Sequence, residues 1–134
     1  MTTDARKTFT IEGGAIHDIR SFYGEINRIF MADEDWKLGE SLDGLNDLFY
    51  GGFGAISGDE PVTLVWREIE KSATDLGLEA ARGWHRQKLE HPKTFDATQI
   101  QRSLDALETG EGKTYFEIVL DIIADHPNID LVKA

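Results

Sequence analysis

Pro61-Val62-Thr63-Leu64-Val65-Trp66 is the stretch that decides the fold. Behind the proline stand five strand-forming residues, four of them apolar, and a strand without a polar alternating face is one covered on both sides. Such strands lie in the middle of parallel sheets. Val62 to Trp66 is therefore expected to be the central strand. Trp66 is read as core, because a large aromatic on an apolar run is most often buried.

Upstream, Thr8-Phe9-Thr10-Ile11 alternates and stops at Gly13-Gly14, which predicts a first strand running into a turn. Ile19, Phe22, Tyr23, Ile26, Ile29 and Phe30 recur at helical spacing behind Asp18, a suitable N-cap. Leu42, Leu45, Leu48 and Phe49 form the inward face of a second helix, opened by Ser41 and ended by Gly51, Gly52 and Gly54. Downstream, a helix carrying Leu76, Ala80, Ala81, Trp84 and Leu89 is expected to start at Ser72 or Thr74 and stop by His91-Pro92. Ile100, Leu104 and Leu107 mark another, opened by Asp96 or Thr98 and ended by Gly110 and Gly112. Thr114 and Glu117 make a capping box ahead of Phe116, Val119, Leu120, Ile122 and Ile123, and Pro127 closes that helix. Ile129-Asp130-Leu131-Val132 reads as the last strand. The order β-α-α-β-α-α-α-β predicts an α/β fold, a three-stranded parallel sheet with helices packed around it. At 134 residues the chain is expected to form a single domain, 1–134.

Composition narrows the function. No run approaches the roughly 20 apolar residues of a membrane-spanning helix, and MTTDARKTFT has no apolar stretch behind its positive charges. A cytoplasmic protein is expected. With no cysteine, thiol chemistry and thiolate metal sites are excluded. The net charge of -11 has the wrong sign for direct nucleic-acid binding. Between residues 30 and 60 stand Asp33, Glu34, Asp35, Glu40, Asp43, Asp47, Asp59 and Glu60 against Lys37 alone. Such a segment is either a solubilising face or one that steers a basic partner.

Asp43 and Asp47 are four apart on the second helix, opposite its leucines, with Glu40 just before it. Like charges at that spacing cost a few tenths of a kcal/mol. General acid and base work would need a cleft that separates their pKa values, which an exposed pair does not provide, so no catalytic residue is expected. Anchoring cations of a partner needs only exposure on a rigid helix. His17, His85, His91 and His126 show no H-E-x-x-H and no metal-ligand spacing, and surface or cap roles are expected for them. Gly51-Gly52-Phe53-Gly54 lacks the lysine of a phosphate loop and follows a helix, so a helix-ending turn explains it. No metal or cofactor is expected.

Two segments carry a resemblance: Gly39-Glu40-Ser41-Leu42-Asp43-Gly44-Leu45-Asn46-Asp47-Leu48, after Trp36-Lys37-Leu38, and Leu64-Val65-Trp66-Arg67-Glu68-Ile69-Glu70-Lys71-Ser72. In kind, order and separation they resemble the barstar family of ribonuclease inhibitors. The resemblance implies the same three-stranded sheet. It further implies a cytoplasmic, non-enzymatic protein, monomeric when free, that blocks the basic active site of a nuclease with acidic side chains imitating substrate phosphates. On this chain the family's principal helix acid falls on Asp47, its companion on Asp43, and its inhibitory loop on Lys37, Leu38, Gly39 and Glu40, with Asn46 beside the principal acid. Aromatics of the family are replaced at Lys37, Leu38, Asn46 and Gly52. Residues 77–113 look like a helical expansion. The alternative implied is a barstar-like interaction module without nuclease inhibition.

Overall fold

The computed structural model describes residues 6–90 and 96–134. Its three strands, β1 (Lys7–Glu12), β2 (Val62–Arg67) and β3 (Ile129–Lys133), form one sheet in the order β1-β2-β3. Both pairings are parallel, with Phe9 opposite Leu64 and Leu64 opposite Leu131. The 61–66 stretch is thus the central strand. Val62, Leu64 and Trp66 are buried on one face, and Thr63 and Val65 are half-buried on the other. Trp66 stacks on Phe22, meets Phe116 edge-on, and donates its indole N–H to Ser72 Oγ at 2.9 Å. This satisfies the one polar atom of a fully buried ring.

Among the described residues six α-helices connect the strands: α1 (Ile19–Phe30) and α2 (Leu42–Phe49) before β2, then α3 (Ile69–Asp75), α4 (Leu78–Leu89), α5 (Ala97–Glu108) and α6 (Tyr115–Ala124). α1 packs on β1, α6 on β3, and α2 against α6. Asp18, Ser41, Asp96 and Thr114 cap their helices as the sequence predicts, Asp18 and Thr114 through reciprocal capping boxes.

One expected helix is two. The chain leaves β2 through Glu68, in the left-handed region at φ 51°, and enters α3 before Ser72. It then breaks at Leu76 and Gly77 before α4. Ser72 caps nothing; its hydroxyl is spent on Trp66 in the core. The expected stop at His91-Pro92 lies outside the described residues. Helices α4 and α5 pack on each other, and α5 buries Ile100, Leu104 and Leu107. Among the described residues no helix is long and apolar enough to cross a membrane.

Gly13 fixes how β1 turns away from the sheet. A Cβ there would lie 2.2 Å from the Arg67 carbonyl oxygen and 2.8 Å from that of Glu68, so only glycine lets the two strand ends meet.

Candidate functional site

α2 is amphipathic in the simplest way. Leu45, Leu48 and Phe49 are buried, whereas Asp43 and Asp47 are exposed one turn apart. Glu40 stands exposed at its entry. Among the described residues no cation forms an ion pair with any of these three carboxylates.

The segment that carries them is braced at several points. Asn27 of α1 clamps the approach loop from both sides, its Oδ1 accepting from Leu38 N at 2.7 Å and its Nδ2 donating to Leu38 O at 3.0 Å. Leu38 itself is buried, 7% exposed, and covers Gly44 at the start of α2. Glu34 accepts from the Gly54 N–H at 2.7 Å, and Trp36 meets Phe53 edge-on at 4.8 Å, which ties the loop before α2 to the loop after it. Ser41 Oγ accepts from Gly44 N. Gly51, at φ 80°, ends the helix and lets its carbonyl accept from Gly58 N.

The last brace is His126, which corrects the expectation of surface or cap roles for the histidines. It is 3% exposed, just after α6. Its Nε2 lies 2.7 Å from Asn46 Oδ1, which can only accept, so Nε2 carries the proton. Burial pushes the imidazole below its usual range, against the opposing charge of Asp125. Tyr50 and Phe49 meet the ring edge-on. Of the other histidines, His17 is exposed and His85 half-buried; His91 lies outside the described residues.

The seven residues singled out in sequence therefore divide. Lys37, Gly39, Glu40, Asp43 and Asp47 are exposed on one continuous segment. Leu38 serves the core with its side chain, and half-buried Asn46 spends its amide oxygen on His126. Sequence reasoning missed Asn27, Glu34 and His126, whose partners lie 11, 20 and 80 residues away. It also passed over Tyr50 and Trp36, which are 63% and 44% exposed. Their signal was present, since Tyr50 follows Asp47 at i+3 on the polar side of α2.

A cavity of about 560 Å³ lies between the start of α1 and α4, lined by Asp18, Arg20, Glu40, Trp84, Gln87 and Lys88. Nearby Tyr23 and Tyr115 share a buried hydroxyl hydrogen bond of 2.7 Å. Burial pushes both phenols up, Tyr115 to about 12, and the Glu40 charge adds to the push. Neither Asp43 nor Asp47 lines this cavity or the two others described. Among the described residues no cluster of three or more histidines and carboxylates could hold a metal ion.

No family model matches this chain, and no curated protein matches it in sequence.

Proposed function

We propose that this chain is a protein inhibitor of a ribonuclease or related nuclease toxin, of the barstar type. It blocks a basic active site with Asp43, Asp47 and Glu40. The observation that carries this reading is the unpaired acidic row on a helix braced by Asn27, Ser41 and His126. Carboxylates held rigid and without internal cations present phosphate-like charge at little entropic cost. The pair sits outside the described cavities, which gives acid and base catalysis no cleft.

Exposed Lys37 favours a second reading, because a cation in the contact loop opposes a basic pocket. In that reading the chain is a barstar-like interaction module that binds another protein without nuclease inhibition. A pull-down from the native host separates the two, comparing wild type with Asp43→Ala/Asp47→Ala at low and high salt and assaying captured protein for nuclease activity. Inhibition is expected to hold for wild type, to weaken with salt, and to fall by about 2–4 kcal/mol in affinity on loss of Asp47 as a hot spot, with folding unchanged. Capture indifferent to both aspartates, or of a protein without nuclease activity, sinks the inhibitor reading.

A further inference from the structure

Tyr50 caps the C-terminus of α2 with helical backbone angles, φ -72° and ψ -14°. It therefore continues the row of Asp43 and Asp47 at i, i+4, i+7. It is 63% exposed, the most open large hydrophobic residue among those described. Yet it is not loose. Its ring stands at 78° and 4.5 Å against buried His126, which also holds Asn46 one turn before. Its hydroxyl has no hydrogen-bond partner among the described residues, and the cation–π contact described in the chain is Lys88 over Trp84, elsewhere. A rigid, open aromatic beside an unpaired carboxylate contributes little to the fold and much to a cationic ligand.

We propose that Tyr50 is the aromatic anchor of this surface and selects arginine on the basic partner, the guanidinium stacking on the ring while its edge donates to the Asp47 carboxylate. Arginine meets both demands at once, because its planar fork stacks and chelates, whereas a lysine ammonium is a compact, strongly hydrated point charge. This rests on the basic partner inferred above and names the group by which it is recognised.

The test uses the folded full chain, ¹⁵N-labelled and titrated at low salt with a capped Gly-Arg-Gly-Arg-Gly peptide and its lysine counterpart. The arginine peptide is expected to shift the signals of Tyr50 and Asp47 and to bind more tightly than the lysine peptide, by up to about fivefold, the full worth of an exposed cation–π contact. Tyr50→Phe keeps the preference. Tyr50→Leu, which still covers His126 but lacks the ring, loses it. Equal affinities, a preference that survives in Tyr50→Leu, shifts centred away from α2, or no binding of either peptide would each overturn the proposal. The nuclease reading is judged separately: a captured nuclease inhibited equally by wild type and Tyr50→Leu removes the anchor alone. Arginine selectivity at Tyr50 with no nuclease captured supports the anchor and removes the inhibitor.

Discussion

Asn46→Ala strips the acceptor from a histidine that has no access to water. His126 is 3% exposed and its Nε2–H points at Asn46 Oδ1 from 2.7 Å, so the variant leaves a buried donor without a partner. An orphan of this kind costs about 1–2 kcal/mol. With an unfolding entropy of roughly 2 cal/mol/K per residue, Tm falls by about 4 °C per kcal/mol for a chain this size, giving a loss of about 4–8 °C. Burial of the same ring sets the pH response. Burial holds the folded imidazole below its unfolded pKa of about 6.5, so its contribution is present above that value and is lost as pH falls toward the folded one. Asn46→Asp keeps the acceptor but places a carboxylate on the ring, favours the imidazolium, and shrinks the loss below about pH 6.5. Thermal denaturation of the three proteins at neutral and mildly acid pH reads both effects. An Asn46→Ala protein melting within about 1 °C of wild type would refute the reasoning, as would an Asn46→Asp protein with the acid response of wild type.

Three further variants test the frame that carries α2. Gly13→Ala drives a Cβ to 2.2 Å from the Arg67 carbonyl, which cannot yield without shifting the end of β2, and is expected to cost about 2–3 kcal/mol or more in urea melts. Gly24→Ala, inside α1 with open space around it, is the control and is expected to stabilise by about 0.5–1 kcal/mol. Glu25 is buried at 5% exposure and held below its usual range by Arg28 and then by the Glu12 N–H, against the effect of burial. Its contribution is present above the unfolded carboxylate pKa and lost as pH falls through the folded one. Glu25→Gln should thus flatten the acid limb of a stability–pH profile, and an unchanged limb would contradict the assignment.

What could be read from sequence was whatever is encoded locally. Val62 to Trp66 announces a covered strand by composition, and Ser41, Asp18 and the Thr114/Glu117 pair announce helix starts by side-chain chemistry. The break between α3 and α4 was missed because Ser72 looks like a cap in one dimension, while in three it is the acceptor for Trp66. Glu68 starts α3 through a left-handed backbone turn and no cap hydrogen bond, leaving no side-chain signal to read. In the site the charges were legible and their support was not. Leu38 was grouped with its exposed neighbours because of its place in the chain, although one apolar residue in a polar loop is itself a hint of burial. The Asn46–His126 bond spans 80 residues and no local pattern foretells it.

Elsewhere some of the acids are paired. Glu25 binds Arg28, Asp75 binds Lys71, Glu60 binds Lys7, Glu108 binds Arg82, and Asp121 binds Lys113. Like Asp33, Asp35 and Asp59, Asp43 and Asp47 form no ion pair among the described residues. Their repulsion costs a few tenths of a kcal/mol, part of which the helix dipole returns at Asp43 in the first turn. The buried leucines of α2 supply stability on the opposite side of the helix, and His126 adds to it through Asn46 and Tyr50. The two faces are separable: the inward face sets whether α2 forms, and the outward row can be shaped by a partner at negligible cost to the fold. That separation is what a binding surface needs, and it is why substitutions at Asp43 and Asp47 should register in association and salt dependence well before they register in melting.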